Sequence, residues 1–209
     1  MSIKKIDRRE ALKMSGMGML GLLLPGLQRE PSTPASVPEP AVININANYG
    51  KGQWIFDPVG LYIQKGQKVR WIAKQWGGTV MAFHPSNDNH ELRIPENAKP
   101  FNSGMVPLMM TGWKGLNQFE WTFDVEGTYD YFSRDEEIMG MVGRIVVGKP
   151  GGPAEKNAPG YGGRDGRAVV FPREVTMLGF CPSADIVAKK TIPYPKDYLV
   201  HPHPYGAEG

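Results

Sequence analysis

Between residues 41 and 148, apolar and polar residues alternate in short runs that are separated by turn-forming residues. A period of two residues is typical of a β-strand with one buried face. In one such run, the aromatic residues Phe119, Trp121 and Phe123 all fall on the same face. Strands are predicted over residues 42–46, 60–63, 69–73, 90–95, 119–123, 128–132 and 144–147. The pattern therefore predicts an all-β domain in which two sheets pack their apolar faces together.

The segment before this domain has the composition of an export signal. Arg8 and Arg9 are followed by an apolar run over residues 14–27. This arrangement resembles the twin-arginine export motif, so residues 1–30 are predicted to be a targeting segment outside the fold. The run is shorter than the roughly 18 to 20 residues of a membrane span, which leaves open whether the segment is cleaved or kept as an anchor. The proline-rich residues 31–40 are predicted to form an extended tether that holds a periplasmic domain near the membrane.

The formal net charge of +3 comes from this first segment. Residues 1–30 hold six of the 24 Lys and Arg and three of the 21 Asp and Glu, which leaves 18 of each sign in residues 31–209. A neutral domain lacks the basic surface that nucleic-acid binding requires. The single cysteine, Cys181, excludes an intramolecular disulfide and is predicted to be buried as a small apolar side chain.

Beyond Lys149 the alternating pattern gives way to residues rich in proline and glycine. One short strand is indicated at residues 168–171, and no segment of useful length has a helical period. Residues 149–209 are therefore predicted to form an irregular extension that lies along a surface, because such a composition buries too little apolar area to fold alone. His201 and His203 near the end are predicted to be exposed tail residues.

Residues 127–147 carry a more specific pattern. They contain the spacing Tyr-x-Ser-x-x-Glu-x-x-x-Gly-Met-x-Gly, formed by Tyr131, Ser133, Glu136, Gly140, Met141 and Gly143. This spacing resembles the copper-ligand loop of the cupredoxins, the family that includes plastocyanin, halocyanin and pseudoazurin, which has cysteine and histidine where this chain has serine and glutamate. Residues 65–71 and 89–95 are similar to other parts of that family. The resemblance implies a Greek-key β-sandwich, followed here by the irregular extension.

The same resemblance implies that His90, Ser133, Glu136 and Met141 occupy the positions of the copper ligands. A blue-copper site requires two imidazoles, one thiolate and a weak axial thioether. Ser133 supplies a hydroxyl and Glu136 a carboxylate, so the thiolate and the second imidazole are missing. The site is therefore predicted to be degenerate, and no metal cofactor is expected.

Two interpretations of the altered site remain open. In one, zinc or oxidised copper binds to a mixed nitrogen and oxygen site formed by His90, Glu136 and one of His84, Asp88 or Glu137. In the other, which we adopt, the two glutamates form a solvated acidic edge and His90 forms hydrogen bonds within the former pocket. Arg134 is then predicted to form an ion pair with a carboxylate and so to order the loop in place of a metal.

Methionine is frequent, with 11 residues in the chain. Those predicted to line a docking surface at the former metal end are Met105, Met109, Met110, Met139 and Met141. Methionine adapts its shape to apolar partners. Cupredoxins dock redox partners through the apolar surface around the metal, so the resemblance implies docking as the remaining role. Filling of the core would account for part of the cluster equally well.

No catalytic constellation is evident, because Ser133 has no base with an acidic partner in a triad-like order, and the protein is predicted not to be an enzyme. The predicted function is that of an accessory or structural subunit, free of copper, on a photosynthetic or respiratory electron-transfer complex of the membrane. The alternative is a periplasmic metal-binding protein or electron carrier with a non-standard copper or zinc site. A domain that binds a small molecule in the vacated pocket is the third interpretation.

Overall fold

The computed structural model describes residues 39–48, 52–108, 117–156, 161–162, 168–169 and 171–198. Several predicted features lie outside these residues: the export signal, most of the linker, Met109, Met110, His201 and His203. Within the described ranges, no helix is long and apolar enough to cross a membrane.

The described residues form twelve strands and two α-helices. In chain order the strands are β1 (Ala41–Asn48), β2 (Gln53–Asp57), β3 (Gly60–Ile63), β4 (Lys68–Ala73), β5 (Gly78–Ala82), β6 (Asn102–Val106), β7 (Gln118–Thr122), β8 (Gly127–Phe132), β9 (Val142–Val147), β10 (Tyr161–Gly162), β11 (Ala168–Val169) and β12 (Thr191–Ile192). The helices are α1 (Pro172–Gly179) and α2 (Ser183–Lys189). Short 3-10 turns occur at Glu137–Met139 and Pro153–Glu155.

Two sheets face each other in a sandwich. One has four strands in the order β2-β1-β4-β7, and the other has six in the order β12-β3-β9-β8-β5-β6. β1 and β4 run parallel, and so do β3 and β9, because the chain crosses repeatedly from one sheet to the other. The predicted β-sandwich with a C-terminal extension is confirmed.

The main core lies between the inner faces of the two sheets. Trp71 of β4 is fully buried there. Its ring centroid lies between 5.5 and 6.3 Å from those of Phe101, Phe119, Phe123 and Tyr131. Phe119 and Phe123 belong to the aromatic face that the alternation predicted. Large aromatic side chains bury much apolar area each, so a few of them fill this core.

The strand predicted over residues 90–95 is wrong. Only His90 takes part in a β-bridge, and the rest of the segment is irregular. Arg93 is held by two isolated backbone bonds, in which its N–H donates to Phe83 O (2.9 Å) and its carbonyl accepts from Asp130 N (3.0 Å). The Arg93 side chain is buried in an ion pair with Asp130, with 2.8 Å between Nη2 and Oδ2. A buried charge at an apparently alternating position is the reason that the pattern misled.

Five strands were missed from the sequence: the two-residue strands β10 and β12, and three longer ones. β5 is buried at all five positions, so it shows no alternation. β6 is exposed at three of its five positions and has no apolar face to detect. β2 is the third, and it pairs with β1 at the edge of the four-stranded sheet.

The C-terminal extension contains both helices. The sequence pattern did not predict them, because a run of seven or eight residues is too short to show a helical period. They pack on the outer face of the six-stranded sheet, where the second buried cluster consists of Val59, Met81, Phe83, Phe132, Val142, Val146, Met177, Leu178, Cys181, Ile186 and Tyr194. Cys181 is fully buried, and burial raises the pKa of its thiol to about 12. The extension is therefore a packed layer on that face.

Candidate functional site

The β8–β9 loop, residues 133–141, is closed by its own backbone. Ser133 N–H donates to Met141 O (3.0 Å), and Met141 N–H donates to Glu136 O (3.2 Å). The 3-10 turn in the loop ends at Gly140, whose φ of 82° lies in the left-handed region that glycine adopts without strain. The spacing of glycine and methionine in this loop thus has a backbone reason that does not involve a metal.

On the inner side of the loop, which faces the main core, Ser133 and Glu136 form a direct hydrogen bond. Ser133 Oγ donates to Glu136 Oε2 at 2.5 Å, and it accepts from the backbone N–H of Thr79 at 3.0 Å. Trp76 Nε1 donates to the other carboxyl oxygen, Glu136 Oε1, at 3.4 Å. Ser133 is fully buried and Glu136 is 8% exposed. Glu136 is therefore an internal hydrogen-bond acceptor, and its prediction as part of a solvated edge is wrong.

Met141 and Gly78 complete the inner pocket. Met141 is fully buried in the main core. A Cβ atom added to Gly78 would lie 3.0 Å from Ser133 Oγ and 3.7 Å from Met141 Cε. Gly78 and Met141 therefore lie beside the Ser133 hydroxyl group, and Gly78 is a neighbour of this site that the sequence did not predict.

On the outer side, His90 forms a buried pair with Glu137. The distance between His90 Nε2 and Glu137 Oε1 is 2.7 Å. The His90 ring stacks on Phe132, with 4.0 Å between centroids and an angle of 11°. Phe132 belongs to the outer cluster and Met141 to the main core. Ser133 follows Phe132 directly and points to the inner side, since successive residues of an extended chain point to opposite faces. The structure therefore separates His90 from the pocket of Ser133, Glu136 and Met141, and its expected place among them is wrong.

Geometry fixes part of the protonation of this outer pair. His90 Nδ1 lies 2.9 Å from the carbonyl oxygen of Asn87, which only accepts, so Nδ1 carries a proton. A further proton then lies between Nε2 and Glu137. Burial lowers the pKa of His90 and raises that of Glu137 to about 7. Burial therefore disfavours charge on both members of the pair.

Glu174 of α1 joins the pair from the C-terminal extension. It is fully buried, and its Oε2 accepts from Phe171 N at 3.4 Å. Burial, together with the neighbouring Glu137 carboxyl group, raises the pKa of Glu174 to about 10. Glu174 is therefore protonated at neutral pH and ties α1 to the outer side of the loop.

The inner pocket does not fit a blue-copper ion. Its side chains offer a hydroxyl, a carboxyl and a thioether, whereas the copper site needs a thiolate and two imidazoles. Among the residues that the structure describes, no group of three or more His, Cys, Asp or Glu side chains is placed to hold a metal ion. The mixed site is not assembled either, because His90 and Glu136 lie on opposite sides of the loop.

Arg134 forms the kind of ion pair that was predicted. Its Nε and Nη2 atoms donate to Asp88 Oδ2 and Oδ1 at 2.5 and 3.1 Å. Both side chains are exposed, by 52% and 40%, and exposed pairs add little to stability. The backbone N–H of Arg134 also donates to Thr79 Oγ1 at 2.7 Å. The ion pair therefore adds to a loop that is already held by buried bonds.

Exposed apolar side chains cluster at the end of the sandwich beside this loop. Trp76 precedes β5, Leu108 follows β6, Met105 lies on β6 and Ile138 lies in the loop. Their exposed fractions are 36%, 40%, 58% and 53% in that order. They make up four of the seven large apolar side chains that are exposed in the described ranges. We refer to these four residues as the apolar end.

The predicted docking methionines have different fates. Met105 is exposed at the apolar end, whereas Met141 is fully buried and cannot contact a partner. Met139 is half-buried, and its sulfur accepts a hydrogen bond from Arg173 Nη1 at 3.3 Å. Met109 and Met110 lie outside the described residues. Placing Met141 in a docking surface is therefore wrong, because its position in the loop points into the core.

Three residues of this region were missed from the sequence. The pair of glycines at the start of β5 could have indicated a close approach at Gly78. Pro172 and Glu174 are typical of the first turn of a helix, so α1 had a weak signal. Nothing in the sequence distinguished the exposed Trp76 from the buried Trp71.

Several solved cupredoxin structures are similar to this chain. No family model and no curated protein matches it. Pseudoazurin from Methylobacterium extorquens AM1 is 18% identical, covering 57% of this chain and 85% of that one, with a TM-score of 0.45. Pseudoazurin from Hyphomicrobium denitrificans is 18% identical over 54% and 77%, with a TM-score of 0.41. A purple cupredoxin from Nitrosopumilus maritimus is 26% identical over 51% and 98%, with a TM-score of 0.36.

These TM-scores lie below 0.5, so the fold assignment rests on the topology of the two sheets. A four-stranded and a six-stranded sheet enclose one aromatic core, and the β8–β9 loop closes one end. The chain has a cupredoxin-like β-sandwich fold with a C-terminal extension.

Proposed function

We propose that the protein is a non-catalytic, copper-free accessory subunit that docks by its apolar end on an electron-transfer complex of the membrane. One observation carries the proposal. Ser133 and Glu136 form a hydrogen bond with each other, while the apolar residues beside them remain exposed.

The apolar end supports docking on energetic grounds. Removing apolar surface from water contributes about 25 cal/mol for each Å², and contiguous exposed apolar patches mark interaction sites. Trp76 and Met105 are suited to such a contact, because aromatic and methionine side chains are enriched in interfaces. The opposite end has charged turn residues such as Lys65 and Glu96, which makes it a poorer candidate.

Catalysis is not part of the proposal, for a geometric reason. Ser133 donates its hydroxyl proton to a carboxyl group, and its nearest donor is a backbone N–H. A nucleophilic serine needs an adjacent base that is itself oriented by a third group. His90, the only buried histidine described, lies on the other side of the loop and pairs with Glu137.

The cellular location of the protein is inferred from residues 1–40. Arg8, Arg9 and the apolar run that follows favour export, and the proline-rich linker favours a tether at the periplasmic face of the membrane. A complex that carries electrons across or along that membrane, photosynthetic or respiratory, is the partner that a cupredoxin-like fold fits best.

The proposal is tested by solubilising host membranes in mild detergent and measuring which redox subunits elute with the full chain. Co-elution is expected, and Ile138→Asp should abolish it because a charge is placed at the apolar end. Val42→Asp is the matched control, since Val42 is an exposed apolar residue of β1 away from that end. A chain that elutes alone and soluble would overturn the proposal.

The metal-binding alternative is tested on the same protein. After incubation with Cu(II), Cu(I) or Zn(II) and thorough washing, metal content is measured by mass spectrometry. The proposal expects no stoichiometric metal. Metal that is retained by the wild type and lost in Glu136→Ala or His90→Ala would establish the alternative function instead.

A further inference from the structure

We infer that Ser133 and Glu136 act as positioning residues that hold the Trp76 indole at the apolar end as the anchor for an uncharged apolar surface of a partner protein. Hydrogen bonds would thus order this end without a metal. The inference rests on the proposed docking function and adds to it the anchor, the residues that place it and the chemistry of the partner surface.

A chain of hydrogen bonds connects the backbone of β5 to the Trp76 indole. Thr79 N–H donates to Ser133 Oγ (3.0 Å), and Ser133 Oγ donates to Glu136 Oε2 (2.5 Å). The remaining oxygen, Glu136 Oε1, accepts from Trp76 Nε1 (3.4 Å). Each oxygen of the carboxyl group therefore has one donor, so the buried backbone of β5 fixes the carboxyl group, which in turn orients the indole.

Aromatic packing also holds the indole. The ring of Trp76 meets that of Trp54 edge to face, with 5.8 Å between centroids and an angle of 69°. The indole is thus held by a polar contact at Nε1 and by an aromatic contact, yet it is 36% exposed. A tryptophan that is ordered before binding loses less side-chain entropy on binding, and tryptophan is enriched among residues that dominate interfaces.

The charged side chains around the apolar end indicate the chemistry of the partner surface. At the apolar end Arg134 is paired with Asp88, and Glu136 is buried. The other charges on the described loops there, Lys74 and Asp135, are exposed and opposite in sign. Among the described residues of these loops, this balance offers no net attraction to an acidic or basic protein or to an anionic lipid surface. An uncharged apolar protein surface is the complement that remains.

The positioning role is tested by hydrogen exchange of the Trp76 Nε1–H in protein labelled with ¹⁵N-tryptophan, with the resonance assigned by Trp76→Phe. Glu136→Ala should speed exchange roughly tenfold, since one hydrogen bond is lost. Glu136→Gln keeps an acceptor for the indole and should stay within about twofold. EDTA or added Cu(II) should change nothing in the wild type. Unchanged exchange in Glu136→Ala, or a response to EDTA, would overturn the positioning role.

Should Glu136→Ala fail to fold, Ser133→Ala tests the same chain of bonds. It removes the group that fixes Glu136 and should also speed exchange of the Trp76 Nε1–H. Glu96→Ala, an exposed acid at the opposite end, is the matched control and should leave exchange unchanged. Equal exchange in Ser133→Ala and Glu96→Ala would contradict the inference.

The anchor is tested with the full chain in detergent-solubilised host membranes. Trp76→Ala and Glu136→Ala should lower the fraction that co-elutes with redox subunits about tenfold or more, whereas Glu136→Gln and Lys65→Ala should not. Sodium chloride at high concentration should leave co-elution intact. If co-elution survives Trp76→Ala, the anchoring role of Trp76 is overturned. If co-elution is lost at high salt, the proposal that the partner surface is uncharged is overturned.

Lipid is distinguished by sedimentation with phosphatidylglycerol vesicles. The isolated chain should stay in solution, and sedimentation that depends on Trp76 would overturn the protein partner in favour of a membrane surface. Absence of every redox subunit from the eluate would defeat the proposed function and the anchor with it. The exchange measurement would still decide whether Ser133 and Glu136 position the indole.

Discussion

Glu136 and Glu137 are neighbours in the chain, and both are buried, yet they serve opposite sides of the β8–β9 loop. Glu136 turns inward and links Ser133 to Trp76. Glu137 turns outward and binds His90 beneath the C-terminal extension. One step along the chain separates a residue of the inner pocket from a residue that lies beneath the extension.

This difference shows that the loop is held on two sides by hydrogen bonds. On the inner side, Ser133 and Glu136 form these bonds. The outer side is independent of those residues, because His90, Glu137 and Glu174 hold the loop through α1. Because hydrogen bonds hold the loop on both sides, we expect its conformation to persist when one side is changed.

The largest expected effect is a gain of copper chemistry on the inner side alone. The triple variant Gly78→His, Ser133→Cys and Glu136→His would place two imidazoles and a thiolate beside the Met141 thioether, which is a blue-copper donor set. Adding Cu(II) should produce the intense visible absorption of a copper–thiolate bond, measured by spectroscopy, where the wild type stays colourless.

The matched control adds His90→Ala to that triple variant, and the absorption should persist because His90 lies on the outer side. A band that requires His90 would contradict the separation of the two sides. A folded triple variant that binds Cu(II) without colour would show that Gly78 does not face the pocket.

A smaller effect is expected from the outer side. Glu137→Ala leaves the His90 ring buried without its partner, and an unsatisfied buried polar group costs about 1–3 kcal/mol. Urea unfolding should report this loss in the free energy of unfolding. Asp135→Ala, an exposed acid in the same loop, should stay within about 0.5 kcal/mol of the wild type. Equal losses in the two variants would show that Glu137 carries no special role.

The pH dependence of stability should also come from the outer side. Glu174 has a pKa raised to about 10 in the folded protein, far above that of an unfolded glutamate, so the folded state holds a proton that the unfolded state has lost. Its contribution is complete at acid pH and declines as pH rises through that value. Between pH 7 and 10 the free energy of unfolding should therefore fall.

Glu174→Gln should flatten this decline, because the amide cannot ionise, whereas Glu96→Gln at an exposed site should not. The measurement is urea unfolding at several pH values above 7, where an ordinary histidine is neutral in both states. A decline of equal slope in Glu174→Gln would assign the effect to other groups.

The smallest effect is expected for Arg134→Ala. Its pair with Asp88 is exposed on both sides, so the free energy of unfolding should fall by about 0.2–1 kcal/mol. Amide hydrogen exchange of residues 133–141 should remain close to that of the wild type, since the buried bonds stay. Broad loss of protection in this loop would mean that the ion pair, and not the buried bonds, orders it.

The sandwich could be predicted because its strands with one solvent face alternate visibly, as the run Phe119, Trp121 and Phe123 shows. β5 escaped prediction because it is buried on both faces. The helices escaped because their packing on the outer sheet, and not a long periodic pattern, stabilises them. Burial on both faces does not always hide a strand, because β8 and β9 are buried at all six positions and were predicted.

The candidate site was predictable in part. Ser133, Glu136 and Met141 share a pocket because loop spacing alone places them there. His90 does not join them, since the face on which a residue lies depends on the irregular path of residues 90–95, which resembled a strand. Gly78 and Glu174 come from distant parts of the chain, and only the fold shows that they approach the loop.

The two-residue strand β12 sets a limit on how this protein can be shortened. Its Ile192 O accepts from Val59 N (3.0 Å), while Lys190 O accepts from Tyr62 N (2.8 Å). A chain cut after Gly148 would leave the edge of β3 without these partners and would uncover the apolar residues beneath α1 and α2. Unpaired strand edges recruit other chains, so such a fragment would self-associate, and the extension serves solubility as much as shape.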